Sequence, residues 1–246
     1  MIAFVKRFLN DMPGIHLLYR WLSIQRTRWR LKGKTMEQIF TEIFERNSWG
    51  GKESLSGTGS DREQTQVLVK RLSRLFRDLG TKTLLDIPCG DYHWLRLLDV
   101  PRMQYVGADV VKEMILQNRR TYERENVHFR CLDLTKDPLP KADLILCRDC
   151  LVHFSYSDIA LALHNICESD ATYLLTTTFT QRMSNYDIPT GKWRPLNLAL
   201  PPFDFPAPHV VINEECSEDN GRYPDKSLAL WELSDVRKCT VRAWKR

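Results

Sequence analysis

Between residues 81 and 178, short apolar runs alternate with amphipathic stretches, the rhythm of β-α units wound around a parallel sheet. The apolar runs predict strands near 83–87, 104–108, 127–131, 143–147 and 172–178, and helical spacing fills the gaps near 94–98, 112–123 and 157–167. Right-handed crossovers leave the carboxyl ends of such strands on one edge, where α/β sheets bind ligands. Upstream, Met36, Ile39, Phe40 and Ile43 recur at helical spacing over residues 35–46. The Gly/Ser-rich stretch 49–60 then reads as a loop, with Ser60 placed to cap a helix over 61–79 and Gly80 to stop it.

Downstream the rhythm breaks. Residues 179–209 are rich in proline and aromatics with little periodicity, and an irregular segment of that length in a compact domain is usually functional or disordered. Two late strands, 210–214 and 227–233, are joined by a polar loop containing Asn220-Gly221. With no helix between them they suggest an antiparallel hairpin.

Composition narrows the class. The chain has 246 residues, 43% hydrophobic and 27% charged, enough for one α/β domain over 35–246 with a basic N-terminal extension over 1–34. No apolar run approaches the roughly 18 residues of a membrane span. Lys6 and Arg7 interrupt Phe4, Val5, Phe8 and Leu9 before an apolar leader core forms, so a cytoplasmic location is expected. The rest of the extension is basic and aromatic, with Arg20, Trp21, Arg26, Arg28, Trp29 and Arg30. It reads first as a peripheral helix packing Trp and Leu on the domain, and second as a segment for peripheral contact with an anionic membrane surface. The net charge of +5 sits partly in this extension and does not point to nucleic acid. Seven cysteines fit a reducing compartment, and the Cys147-x-x-Cys150 spacing lacks the further ligands of a zinc site or the context of a redox pair, so inert thiols are expected.

The stretch Leu84-Leu-Asp-Ile-Pro-Cys-Gly-Asp-Tyr-His-Trp94 runs from a strand into a tight loop and a helix start. Gly90 allows close backbone approach to a ligand, and a helix start offers free N–H donors. Asp109 closes the next strand about 20 residues on, where a carboxylate suits both ribose hydroxyls. Asp133 follows the third strand, in position for an adenine amino group. Together these describe an adenosine site.

Over residues 81–233 the chain resembles the class I S-adenosylmethionine-dependent methyltransferases. The resemblance implies a Rossmann-like α/β fold: a seven-stranded, mostly parallel sheet with an antiparallel C-terminal hairpin and helices on both faces. It implies S-adenosyl-L-methionine as cofactor, with Asp86 opening the glycine-rich loop, Asp109 on ribose, and Asp133 with Leu134 on adenine. Pro88 and Asp91 stand where glycine is frequent, so the G-x-G pattern does not apply, and Cys89 and Asp91 join Pro88 and Gly90 as cofactor-loop residues. The segment Cys147-Arg-Asp-Cys-Leu-Val-His-Phe154 matches the family segment beneath the cofactor's methionine part, which brings in Arg148, Asp149 and His153.

Methyl transfer from a sulfonium is an in-line displacement that needs alignment and exclusion of water. A hydroxyl acceptor also needs a base. The candidates are His153, Asp149 and Asp187, with His209 less well placed; no metal is required. Residues 179–209 form the expected substrate lid, and its Asn185, Tyr186, Asp187, Lys192, Trp193, Arg194 and Asn197 suit a ring-stacking, hydroxyl-rich ligand. The reading is O-methylation of a carbohydrate or other small-molecule hydroxyl, with the 49–60 loop as a second lid or a plain linker. Two rivals remain. A nicotinamide-dependent oxidoreductase needs the G-x-G-x-x-G that residues 86–91 lack. A non-catalytic cofactor-binding scaffold or regulatory partner needs only the fold.

Overall fold

The computed structural model describes the backbone of residues 13–243 and the side chains of residues 22–239. The chain divides into two units, Met1–Thr35 and Met36–Arg246. In the first, helix α1 (Pro13–Leu31) has Arg28 and Arg30 in its last turn, where cations suit the carbonyl end of the helix dipole. Its Leu22 and Trp29 are exposed. The leader reading on Lys6 and Arg7 lies outside the described residues, as does the side chain of Trp21. Among the described residues no helix is long and apolar enough to cross a membrane.

The second unit is built on one seven-stranded sheet in the order β3-β2-β1-β4-β5-β7-β6. Strands β1 (Thr83–Asp86), β2 (Gln104–Asp109), β3 (Val127–Cys131), β4 (Leu144–Cys147) and β5 (Tyr173–Phe179) are parallel. Strands β6 (Val210–Asn213) and β7 (Lys226–Glu232) are antiparallel, with β7 inserted between β5 and β6. The expected Rossmann-like fold with its terminal hairpin is therefore present. Helices α2 (Met36–Glu45), α3 (Arg62–Asp78), α4 (Lys112–Tyr122), α5 (Tyr156–Glu168) and α6 (Leu233–Ala243) surround the sheet.

Leu68, Leu72 and Phe76 recur along α3 at i, i+4 and i+8 and are almost fully buried in one cluster with Leu84, Leu144, Leu146 and Leu175. Burial of each such side chain stabilises by about 1.5–3 kcal/mol. The alternate strand residues Leu85, Ile145 and Leu174 point the other way and are equally buried, so both sheet faces are covered.

Two local expectations are corrected. The N-cap of α3 is Asp61, not Ser60, which ends a 3-10 turn over Thr58–Ser60; the Asp61 side chain makes no capping bond. Residues 94–98 hold only a 3-10 turn, Leu95–Leu97, because Leu98 is already extended. Gly80 stops α3 at φ +64°, as a glycine can.

Candidate functional site

A cavity of about 550 Å³ opens at the carboxyl ends of β1, β2 and β4. Its first wall is the loop after β1. The Ile87 amide bonds Leu146 O and the Cys89 amide bonds Ala108 O, so this loop is tied to both neighbouring strands. Gly90 has φ +55°, and a Cβ there would lie 2.0 Å from Ser56 Oγ: the close approach it permits is to residue 56 of the 49–60 loop. Asn118 Nδ2, on α4, donates to Gly90 O at 2.7 Å.

Asp109 accepts the Gly90 amide at 3.2 Å and the Val111 amide at 2.9 Å, one on each carboxylate oxygen. Burial pushes its carboxyl up to about 6, against the pull of these amides. Asp86 is buried more deeply and accepts Tyr105 Oη at 2.7 Å. Burial outweighs that bond and raises its carboxyl to about 8, with Asp109 adding to the rise and Arg148 opposing it. Asp86 therefore keeps its proton far above the ordinary carboxylate range. Pro88, Cys89 and Leu134 line the cavity beside Asp86, Gly90 and Asp109, and burial keeps the Cys89 thiol protonated.

Two sequence-assigned acids are engaged elsewhere. Asp91 lines the cavity but accepts Ser54 Oγ at 2.9 Å, the Leu55 amide at 2.8 Å and the His93 amide at 3.2 Å, which fastens the 49–60 loop. Asp133 is not among the cavity-lining residues. It accepts the Thr135 amide and hydroxyl at 3.0 and 2.6 Å and pairs with Lys136, so its carboxylate serves its own turn, while Leu132 and Leu134 on either side reach the cavity.

The floor is a buried charge network. Arg148 Nη2 meets Glu214 Oε2 at 2.6 Å and Gly59 O at 2.8 Å, and its guanidinium lies over the Trp94 ring at 5.3 Å. Lys226 Nζ, at the start of β7, lies 2.8 Å from Asp149 Oδ2, 3.4 Å from Glu218 and 3.6 Å from Glu214. Burial alone would raise the Asp149 carboxyl, but Lys226 and Arg148 outweigh it and hold it at about 2. On Arg148 and Lys226, burial acts downward and their carboxylate partners win, so both stay charged. Arg148 and Asp149 were expected here. Glu214, Glu218 and Lys226 were not; the available signal was a lysine opening an otherwise apolar strand.

Across the cavity His153 Nδ1 lies 3.0 Å from Lys192 O, and its ring centroid is 5.2 Å from that of Trp49. A carbonyl oxygen only accepts, so Nδ1 carries the proton and Nε2 is the basic nitrogen. Burial lowers the imidazole to about 4, despite the opposing charge of Asp149. Trp193, Phe179 and Tyr223 form an aromatic wall, with the Trp193 and Tyr223 centroids 4.8 Å apart.

The 179–209 segment is pinned to the 151–153 turn. The Gly191 amide bonds His153 O, and Arg194 Nη1 donates to Leu151 O and Val152 O. Of the polar and aromatic residues expected to face substrate from this segment, only Trp193 lines the cavity. Asp187 is exposed and accepts the Tyr156 amide at 2.7 Å, capping α5 outside the cavity. His209 bonds Leu230 O, four residues along β7 from Lys226 and hence about 13 Å away.

A mostly parallel sheet with this order, an antiparallel terminal hairpin and a ligand-sized cavity at its carboxyl edge is the fold of the class I S-adenosylmethionine-dependent methyltransferases. Residues 60–210 match the family model of a methyltransferase domain, and the chain belongs to that family. Among solved structures it is similar to magnesium protoporphyrin IX methyltransferase of Synechocystis, crystallised with S-adenosylmethionine, with TM-score 0.54 and 14% identity over 81% of this chain and 97% of the other. It is similar also to the N-methyltransferase NodS of Bradyrhizobium japonicum, with TM-score 0.52 and 15% identity over 70% of this chain and 97% of the other. At these identities the likeness is one of fold. No curated protein sequence matches the chain.

Proposed function

We propose that the protein transfers a methyl group from S-adenosylmethionine to a hydroxyl of a carbohydrate or other small molecule. The observation that carries this reading is one cavity holding both an adenosine-type cradle, Asp109 beside Gly90, and a neutral histidine, His153, among aromatic rings. The residues fit the cofactor. Asp109 meets only backbone amides and so keeps acceptor capacity for a ribose hydroxyl, and Val111, Met114, Leu132 and Leu134 offer apolar surface for a purine. When bound, S-adenosylmethionine supplies a methyl group on a sulfonium that leaves as a neutral thioether.

In this reading Asp109, Gly90 and Leu134 bind the cofactor, Asp86 and Cys89 furnish the protonated end of the cradle, and Arg148 and Asp149 hold the floor. The aromatic wall orients the acceptor and keeps out water. His153 Nε2 takes the hydroxyl proton as the oxygen gains its methyl group. That proton becomes strongly acidic as the new C–O bond forms, so a weakly basic imidazole suffices. Asp149 is a poor base, because Lys226 and Arg148 hold its carboxyl down at about 2.

The test is calorimetric titration with S-adenosylmethionine alongside Asp109→Ala, followed by tritiated methyl transfer into sugar, lipid, small-molecule and RNA pools. Binding lost in the variant and label in the sugar or small-molecule pool is the expected result. No binding by the folded wild type sinks the reading, and label in RNA alone sinks the acceptor class. Tight binding with no labelled pool favours the non-catalytic scaffold.

A further inference from the structure

Residues 187–194 are stitched to residues 151–156 at almost every step. Asp187 accepts the Tyr156 amide at 2.7 Å, Thr190 Oγ1 accepts the Ser155 amide at 2.8 Å, and the Gly191 amide donates to His153 O at 2.8 Å. His153 Nδ1 then donates to Lys192 O, and the Arg194 amide donates to Val152 O at 3.1 Å. The turn that carries His153 is thus held by a single strip of chain. Trp193, of the aromatic wall, belongs to the same strip.

The strip ends on Arg194, whose side chain is fully buried. Its Nη1 donates to Leu151 O at 3.2 Å and Val152 O at 3.0 Å, while Nε and Nη2 have no hydrogen-bond partner and the guanidinium lies over the Tyr156 ring at 5.5 Å. Among the described residues no carboxylate forms an ion pair with it. Burial pushes it down to about 10, so it remains a cation at neutral pH. A buried cation without a carboxylate costs stability, and an apolar side chain would cover the turn without that cost. What the guanidinium adds is a rigid donor that fixes two successive carbonyls, together with a positive charge that acts on the histidine. Burial chiefly lowers the His153 imidazole; Asp149 and the Lys192 carbonyl oppose it, and Arg194 and Lys226 add to it.

We propose that Arg194 is a positioning residue for methyl transfer: by clasping the Leu151 and Val152 carbonyls it fixes the turn from which His153 meets the cavity, and with it the Lys192 carbonyl and the Trp193 ring. The inference rests on the transferase reading above and adds to it a residue that is absent from the cavity lining. The cradle around Asp109 and Gly90 is held by bonds of its own, none of them to Arg194. Loss of the clasp therefore disturbs the base and the acceptor wall and spares the cofactor.

The test compares the full chain with Arg194→Met, Arg194→Lys and a control, Thr190→Val, which cuts the tie to Ser155 and leaves the guanidinium in place. NMR of protein labelled with nitrogen-15 at its histidines reads the His153 ring, assigned by the signal lost in His153→Gln. The wild type is expected to hold one tautomer, with the proton on Nδ1. Arg194→Met is expected to replace it with an exchanging mixture and to raise the pH at which the ring titrates. Arg194→Lys keeps the charge without the planar fork, so its tautomers mix while its titration stays nearer the wild type. Thr190→Val should leave the ring signals unchanged. All three should bind S-adenosylhomocysteine within about twofold of the wild type, while Arg194→Met loses about 10²-fold in kcat for tritiated methyl transfer into the pool that takes label. An unchanged tautomer or unchanged kcat in Arg194→Met, or an equal tautomer change in Thr190→Val, overturns the inference. If Arg194→Met does not fold, Arg194→Lys decides, and an unchanged tautomer there overturns it equally. Failure of S-adenosylhomocysteine to bind the wild type is a separate result, and it counts against the transferase reading itself.

Discussion

Ser54 Oγ donates to Asp91 Oδ1 at 2.9 Å, joining the loop before α3 to the loop after β1 across 37 positions of sequence. The Leu55 amide occupies the second carboxylate oxygen at 2.8 Å. A residue expected to face the cofactor thus holds in place the loop that walls it. Asp91→Ala should raise KM for S-adenosylmethionine about tenfold, the cost of losing hydrogen bonds to a charged group. It should also speed amide exchange over residues 49–60, with Asp91→Asn intermediate. Unchanged exchange in the alanine variant would show that the latch is dispensable.

The proton on Asp86 makes stability depend on pH. Its folded pKa, about 8, lies above the ordinary 3.8, so the native state holds the proton more tightly. The resulting stabilisation is fully present below about pH 4 and is lost as pH rises to about 8. Asp86→Asn cannot ionise. Its Tm, measured without ligand, should gain on the wild type as pH goes from 5 to 8.5; a constant difference would refute the shift. Tyr105→Phe strips the buried carboxyl of its donor and should cost about 1–3 kcal/mol in denaturant titration.

Lys226 holds together three carboxylates that would otherwise repel one another. Lys226→Met should destabilise by about 3–5 kcal/mol, because it leaves buried charge uncompensated. Adding Asp149→Asn should restore part of that loss in a double-mutant cycle. If the two losses simply add, the pair is not coupled.

His153→Ala should lower kcat by about 10²–10⁴ while leaving S-adenosylmethionine affinity within a factor of about two. A base must be neutral to act, and burial lowers this imidazole to about 4. The acid limb of the kcat profile should therefore fall near pH 4 to 5, well below the ordinary histidine range. A limb near 6.5 that disappears in the variant would contradict the buried setting of His153.

The periodicity of the chain was sufficient for the sheet, because most strands are short apolar runs bounded by polar or turn residues; the seven strands begin and end within about two residues of expectation. The position of Asp86, Gly90 and Asp109 at the cavity was legible for a related reason, since the turns that carry them follow directly from those strands. The hydrogen bonds that engage Asp91 and Asp133 within the loops were not. A carboxylate after a strand looks alike in sequence whether it lines the cavity, as Asp109 does, or turns to its own loop, as Asp133 does through Thr135. Glu214 and Lys226 were missed because their meaning is in their pairing with Arg148 and Asp149, 66 and 77 residues away. Nothing local marks such a bond.

One consequence of the sheet order concerns the sequence in which the molecule can be assembled. Strand β6 touches the sheet only through β7, and β7 is the later of the two in the chain. A nascent polypeptide that has emerged as far as Asn213 already contains Arg148, Asp149 and all five parallel strands, yet has no partner for β6 and lacks Lys226, the nearer of the two cations beside Asp149. Because β7 runs backward, its first residue lies at the edge where the parallel strands end, so the pairing of β7 both joins β6 to the sheet and sets Lys226 on the cavity floor. Completion of the sheet and completion of the cavity floor are, for this chain, one event.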